Sequence, residues 1–313
     1  MAKKIPSIIK EIKSFEPINI DYSFQKNVSY SQFSMYKQCP KKWALNYRDG
    51  HKTVEQSIHF VFGTSFHETL QHYLDTMYEK SITGADGIDI EEHFKSGFMR
   101  EYKSAYKKNN NLHFSSAEEL REFYEDGIAI LDFFKKKRGR YFSKRGWHLV
   151  GCEVPVTLTP NKHYPNVIYQ GHLDVVLYNE NTESFKIIDI KTSTRGWNDK
   201  TKKDEIKQFQ LVLYKKFFSE QFNIPLDRIN IEFFIVKRKV WENSDFPTSR
   251  IQTFIPASGK VKLNKVDKEL NEFLESAFTR KGYSQKDHQP KTNMFCQYCS
   301  FYKTHLCSAT LEK

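Results

Sequence analysis

The spacing of hydrophobic positions predicts helices in the first part of the chain. Aromatic residues recur at helical spacing over 30–47, which predicts a helix that bends at Pro40. A second helix is predicted to begin near Ser65, because Ser65 and Glu68 have the spacing of a capping box and an apolar stripe follows them. Further amphipathic patterns predict helices at 90–108, 116–138, 203–221 and 260–280.

In the middle of the chain the hydrophobic period shortens to two, which is the period of strands. Strands are predicted at 147–159, 168–178, 185–192, 229–238 and 250–256. Neither an internal repeat nor a low-complexity linker divides the sequence, so we predict one α/β domain over 1–313 with a mixed sheet flanked by helices. Its expected parts are N-terminal helices at about 30–80, a helical insertion at about 80–145, a sheet core at about 146–280 and a cysteine-bearing segment at about 290–310.

The hairpin predicted from 168–178 and 185–192 contains two acidic residues in an apolar setting. Antiparallel pairing around the polar loop NENTES would place Asp174 opposite Asp189, with Cβ atoms about 5 Å apart. Lys191 would lie on the same face as Asp189. Two partly buried carboxylates at that distance must share a proton or bind a cation, and a hard divalent ion suits them. The pattern also fits an exposed edge hairpin in which Lys191 offsets the acidic charge.

The segments around these residues resemble motifs of a known enzyme family. GHLD, which ends at Asp174, and IIDIKT, which contains Asp189 and Lys191, resemble motifs II and III of the PD-(D/E)XK nuclease superfamily, specifically its RecB-like branch. QLVLY at 210–214 resembles the QxxxY motif of that branch, and FGTSFHETLQHYL resembles its histidine motif. The four elements occur in the order typical of the family.

The resemblance implies a nuclease that depends on Mg²⁺ or Mn²⁺. The metal ligands that it implies are His67, Asp174, Asp189 and the backbone carbonyl of Ile190. Lys191 would orient the attacking hydroxide and stabilise the transition state. Gln210 and Tyr214 share a helix face and would position the DNA strand or the lysine. Glu153 resembles an auxiliary acidic position found in part of the superfamily.

Four of the five cysteines have a spacing that resembles the iron–sulfur site of RecB-like nucleases, such as the AddB subunits and the CRISPR-adaptation nucleases. One cysteine precedes the nuclease motifs and three follow them: Cys39, Cys296, Cys299 and Cys307. The resemblance implies a 4Fe-4S cluster in a C-terminal module. A structural zinc ion on the same thiolates and metal-free reduced cysteines are alternatives. Cys152 matches no motif and is expected to be a small core residue.

Net charge indicates the kind of partner to expect, and hydropathy indicates the expected location of the protein. The net charge of +11 favours a polyanionic partner. Apolar runs long enough to cross a bilayer and a secretory leader are both absent from the sequence, so we expect no membrane association and a cytoplasmic location, in a bacterial or phage-infected cell. Basic stretches at 135–140 and 237–239 would either line a DNA channel or lie at solvated element ends.

By analogy with the branch, we expect an exonuclease acting on single-stranded DNA or DNA ends in recombination, repair or phage DNA processing, with a helicase or recombination protein as an expected partner. The alternative is a catalytically silent DNA-binding or scaffolding subunit of such a complex. Mg²⁺- or Mn²⁺-dependent cleavage distinguishes the two.

Overall fold

A mixed β-sheet forms the centre of the protein. The computed structural model describes residues 6–51, 56–241 and 248–308. The strands of the sheet run in the order β1-β3-β4-β5-β6, and β2 pairs with β3 outside this path. The strands are β1 (Lys26–Val28), β2 (Trp147–Leu158), β3 (Val167–Asn179), β4 (Ser184–Ser193), β5 (Ile229–Lys237) and β6 (Ile251–Phe254). A small separate hairpin consists of β7 (Phe278–Thr279) and β8 (Gly282–Tyr283).

Helices cover both faces of this sheet. They are α1 (Ser7–Lys13), α2 (Tyr30–Gln38), α3 (Pro40–Trp43), α4 (Ile58–Asp75), α5 (Ile82–Asp86), α6 (Ile90–Lys108), α7 (Ala117–Lys137), α8 (Asp199–Lys202), α9 (Glu205–Phe222) and α10 (Lys260–Ala277). Apolar residues of α2, α9 and α10 form one buried cluster with the sheet. Those of α4, α6 and α7 form the other cluster on the opposite face. The predicted α/β fold with a mixed sheet flanked by helices is confirmed.

Strand β3 changes its pairing partner partway along one edge. Antiparallel pairing with β2 covers the other edge from Tyr169 to Asn179. Along the edge that does not face β2, the first three residues of β3 pair in parallel with β1, whereas 175–179 pair in antiparallel fashion with β4. The stretch 170–174 between them has no ladder partner on this edge among the described residues. A gap in the sheet therefore opens between β3 and β4.

The predicted register of this hairpin is confirmed, since Tyr178 pairs with Phe185 and Val176 pairs with Ile187. The helix predicted over 30–47 is also confirmed, although its break lies at Cys39. This residue has extended dihedral angles (φ −160°, ψ 109°) and separates α2 from α3. Pro40 then occupies the first position of α3, where its missing N–H is tolerated.

The predicted start of the second helix is wrong. α4 begins at Ile58, where the Ser57 side chain accepts a hydrogen bond from the His59 N–H. Ser65 lies inside the helix, and its hydroxyl donates to the Val61 carbonyl at 2.8 Å. The apolar run IHFVFGT before Ser65 continues the helical pattern, so the apparent capping box lies within an established helix. His67 consequently lies in the middle of α4 and not in a first turn.

Candidate active site

The gap in the sheet opens at the two aspartates. Val175 and Ile188 are the last residues that β3 and β4 pair, so Asp174 and Asp189 lie one position beyond the ladder. The Asp174 carboxylate replaces the missing strand partner, because its Oδ2 accepts a hydrogen bond from the Ile190 N–H at 2.6 Å. The Asp174 side chain thus links β3 to β4 at the point where their backbone pairing ends.

Asp189 is a buried carboxylate with little compensation. It is 1% exposed, and Lys191 Nζ lies 2.6 Å from its Oδ2 as an ion pair. Apart from this ion pair, neither carboxylate oxygen has a hydrogen-bond partner among the described residues. Burial raises the pKa of Asp189 to about 6 against the opposing effect of Lys191. A carboxylate of this kind has oxygen lone pairs free for a cation.

His67 of α4 lies next to Asp174 at the same gap. Burial raises the pKa of Asp174 to about 6, although Lys191 and the Ile190 N–H both favour its charged form. His67 Nδ1 lies 3.6 Å from Asp174 Oδ2. Burial, and secondarily Lys191, lowers the pKa of His67, which favours the neutral imidazole. The neutral ring is the form that binds metal ions.

Glu153 of β2 reaches the same place from a strained backbone position. Cys152 pairs with Val175 and Val154 pairs with Leu173, whereas Glu153 does not form the pair expected opposite Asp174. Its φ of +51° lies in the left-handed region, which is costly for a residue with a side chain. A residue in this conformation interrupts the regular alternation of strand side chains.

Gln71 of α4 holds this acidic side chain. Its Nε2 donates to Glu153 Oε1 at 2.6 Å and to the Asp174 backbone carbonyl at 3.0 Å, and the residue is 8% exposed. Gln71 follows His67 by one helical turn, so both side chains lie on the same face of α4. One helix therefore presents a candidate ligand and also orients a second one.

The donor atoms converge tightly enough to bind a metal ion. One ligand atom from each of His67, Glu153 and Asp174 lies within 4.8 Å of the others. Asp189 does not join this group at that distance, but its free carboxylate oxygens lie beside the same gap. An imidazole and carboxylate oxygens are a donor set that suits Mn²⁺ or Mg²⁺. The residues present thus fit a divalent cation.

Two further predicted residues lie on α9 next to this cluster. Gln210 Nε2 donates to the Tyr214 hydroxyl at 3.3 Å. Tyr214 is 7% exposed, and its pKa is raised by burial and then by the negative charge of Asp189. Gly171 provides room for the ring, because a Cβ at this position would lie 3.0 Å from a Tyr214 ring carbon. The glycine of the GHLD segment thus permits close approach of α9 to β3.

A family model described as the PD-(D/E)XK nuclease superfamily matches residues 27–304. The chain belongs to this superfamily. The match covers every element of the sheet, the candidate metal cluster and the lysine beside it.

Comparison with solved structures gives weaker likeness. A presumed exonuclease from Eubacterium rectale has a TM-score of 0.48 and 13% sequence identity, over 92% of this chain and 90% of that chain. A search of curated proteins found no match.

The four cysteines that resemble a cluster site in this superfamily lie around one cavity. This cavity has a volume of about 30 Å³, and its lining includes Cys39, Cys296, Cys299 and Cys307. Backbone N–H groups point at two of the sulfurs: that of Lys291 lies 3.4 Å from Cys39 Sγ, and that of Asn293 lies 3.5 Å from Cys296 Sγ. The fold thus brings a cysteine from the N-terminal helices next to the C-terminal segment.

Cys152 lies apart from this cavity, on β2. Its thiol is 4.0 Å from the Gln71 carbonyl. Burial, reinforced by the charge of Asp75, raises the pKa of the thiol. The residue was expected to be a small core residue, and it lies at the edge of the core, partly buried against the cluster that contains α4.

Within each of the two basic stretches, one arginine forms an ion pair that links elements of the fold. Arg138 forms an ion pair with Asp86 at 2.5 Å. Arg238 is 6% exposed, pairs with Asp126 at 2.8 Å, and places its guanidinium 3.6 Å from the centroid of the Phe123 ring. Arg238 therefore fastens the helical insertion to the end of β5.

Among the described residues, no helix is both long enough and apolar enough to cross a bilayer.

Proposed function

We propose that the protein is a metal-dependent nuclease of the RecB-like branch, acting as an exonuclease on single-stranded DNA or DNA ends. The observation that carries the proposal is the buried Asp189 carboxylate beside His67, Glu153 and Asp174, whose only polar partner among the described residues is the Lys191 ammonium. Because its pKa stays raised to about 6 despite Lys191, a bound divalent cation would offset the remaining cost of burial. Membership of a nuclease superfamily agrees with this function.

The proposed metal ligands are His67, Asp174, Asp189 and the Ile190 carbonyl, with Glu153 as a further carboxylate. A divalent ion in this position polarises the phosphate and lowers the pKa of water. Gln71 fixes the direction of Glu153, and the neutral form of His67 leaves its ring nitrogen free to coordinate. The sheet gap gives the phosphate access to these groups.

Lys191 would stabilise the transition state. Its ammonium group is held 2.6 Å from Asp189 and remains 32% exposed, so it can also contact a phosphate oxygen that enters the gap. A fixed positive charge at this position favours the negative charge that develops during phosphodiester cleavage. Tyr214 and Gln210 would orient the nucleic-acid strand or the lysine from α9.

The four-cysteine cavity would hold a 4Fe-4S cluster. Its lining brings together Cys39 and the three C-terminal cysteines, the set that resembles the cluster site of RecB-like nucleases. Backbone N–H groups aimed at Sγ atoms are also a usual feature of iron–sulfur sites.

The proposal also includes the 4Fe-4S cluster and a cytoplasmic location. It further includes a role in recombination, repair or phage DNA processing, with a helicase or recombination protein as partner.

The decisive experiment is degradation of linear single-stranded DNA, labelled separately at the 5′ and 3′ ends, by anaerobically purified protein with Mg²⁺ or Mn²⁺. We expect stepwise shortening by the wild-type protein and a loss of at least 100-fold in Lys191→Ala, because removal of one stabilising charge typically costs this much. Lys260→Ala, at the solvent-exposed start of α10, is the matched control and should retain activity. DNA binding without cleavage under either metal would instead support the silent subunit.

A further inference from the structure

A pocket lies beyond the ends of β4 and β5, apart from the acidic cluster. Its volume is about 350 Å³, and its lining is Arg195, Lys237, Lys239, Val240, Trp241 and Thr248. The segments that follow β4 and β5 remain parallel and paired, because the Arg238 N–H donates to the Ser193 carbonyl and the Lys239 N–H donates to the Thr194 carbonyl. The pocket is therefore built on the continuation of the strand that carries the acidic site.

Trp241 offers an open aromatic surface in this pocket. The side chain is 71% exposed, and the Arg195 guanidinium lies 5.2 Å from its ring centroid. A cation over one face of an indole fixes the orientation of the ring. The high exposure leaves most of the remaining ring surface accessible to a second flat group.

The charge of the pocket is positive and only partly offset. Lys239 pairs with Glu122 and Asp126. Arg195 and Lys237, by contrast, have no ion pair with any carboxylate of the described residues. Burial, and secondarily the neighbouring Arg250, lowers the pKa of Lys237. An anion entering the pocket would stabilise the charged form of both side chains.

The position of the pocket connects it to the candidate active site. β4 carries Asp189 and Lys191 and ends at Ser193, two residues before Arg195. At about 3.3 Å per strand residue, Ser193 lies roughly 13 Å from Asp189. An extended polynucleotide covers that separation with a few nucleotides.

We infer that this pocket binds a nucleobase and an adjacent phosphate of a single-stranded nucleic acid whose phosphodiester, a few nucleotides away, lies at the acidic site. The inference rests on the proposed nuclease function and assigns a binding subsite for its substrate. Trp241 stacks on the base, while Arg195 and Lys237 contact the phosphate. An unpaired strand is required, because the bases of a duplex are already stacked on each other. Stacking of this kind is insensitive to base identity.

The test measures binding separately from cleavage. The fluorescence anisotropy of a short, dye-labelled oligothymidylate is titrated with the full-length protein, without added divalent metal. We expect a rise in anisotropy on binding, a Kd weakened at least fivefold in Trp241→Ala, and partial recovery of affinity in Trp241→Phe. Tyr22→Ala, another exposed aromatic residue, is the control and should bind like the wild type.

The charges are tested by the salt dependence of the same Kd. Removing one phosphate contact in Arg195→Ala should reduce the slope of log affinity against log salt concentration by about 0.7. Unchanged affinity in Trp241→Ala, or equal affinity for blunt duplex DNA, would overturn the inference. So would binding of the protein to anionic lipid vesicles in place of the oligonucleotide. If Trp241-dependent binding occurs but no metal supports cleavage, the nuclease proposal fails and the pocket stands.

Discussion

Asp189 illustrates at the scale of one residue how the fold favours cation binding. Its backbone belongs to β4, so the sheet fixes the position of the carboxylate whether or not a cation is bound. Lys191 alone does not remove the desolvation penalty, since the pKa of Asp189 remains raised to about 6. At neutral pH the metal-free protein is therefore less stable than it would be with a neutral side chain there.

Asp189→Asn is expected to stabilise the metal-free protein by up to about 3 kcal/mol at pH 8, the free energy of a shift of about two pKa units. The folded-state pKa lies above the unfolded value, so the contribution of Asp189 to stability is complete below about pH 4 and is lost as the pH rises through 6. The gain in the variant should therefore grow between about pH 4 and 6 and level off above that range. Chemical unfolding at several pH values measures it.

In the presence of Mn²⁺ the wild-type protein should instead be more stable than Asp189→Asn, because the ion stabilises only a protein that binds it. Asp199→Asn is the matched control, since this carboxylate on α8 is 89% exposed and should show neither effect. A pH-independent difference between Asp189→Asn and the wild type would contradict the explanation.

At the scale of elements, the helical insertion depends on close contact between α6 and α7. Gly127 of α7 lies against Phe94 of α6, which is fully buried. A Cβ at Gly127 would lie 2.3 Å from a Phe94 ring carbon. The glycine is therefore required by packing and not by backbone conformation.

Gly127→Ala should destabilise the protein by about 1–3 kcal/mol through overpacking, even though alanine favours a helix by up to about 1 kcal/mol. Denaturant unfolding followed by circular dichroism measures the change. Gly139→Ala is the control, because no atom lies within 4 Å of its added Cβ. Equal stability of the two variants would show that α6 shifts freely relative to α7.

Elements with a sustained hydrophobic period were predictable from the sequence. β2 to β6 and α6, α7, α9 and α10 lie within a few residues of their predicted positions, because each buries one regular face. Short elements such as β1 and α5 were not predicted, since three to five residues hold too little periodicity. The beginning of α4 was misplaced because Ser65 and Glu68 imitate a cap within a continuing helix.

The candidate site was predictable only where residues are close in sequence. Asp174, Asp189 and Lys191 followed from hairpin register. The contact between Gln71 and Glu153 depends on the left-handed backbone conformation of Glu153 and on the packing of α4, neither of which leaves a local sequence signal. The four-residue spacing from His67 to Gln71 was the available sequence signal for Gln71. Gly171, the first residue of GHLD, was the signal for the close approach of α9 to β3.

At the scale of the whole molecule, the four-cysteine cavity connects distant parts of the chain. Cys39 lies between α2 and α3, whereas Cys296, Cys299 and Cys307 lie in the last described segment. Ligand bonds to a shared metal centre would hold this segment against the N-terminal helices and offset the entropy of closing so long a loop.

Cys307→Ser is expected to lose the bound iron and sulfide and to lower the melting temperature of anaerobically purified protein. Metal analysis and thermal unfolding provide the measurements. Cys152→Ser, outside the cavity, should keep the wild-type metal content. Stoichiometric zinc in place of iron would refute the cluster assignment, and equal metal content in both variants would show that the cavity holds no metal centre.

We propose that a divalent cation binds in the gap between β3 and β4. Anomalous diffraction from crystals of the protein soaked in Mn²⁺ tests this binding. We expect a manganese peak within coordination distance of Asp174 and His67, with a carboxylate oxygen of Asp189 turned toward it. A structure with that gap empty of manganese at saturating Mn²⁺, and with Lys191 still paired to Asp189, would contradict it.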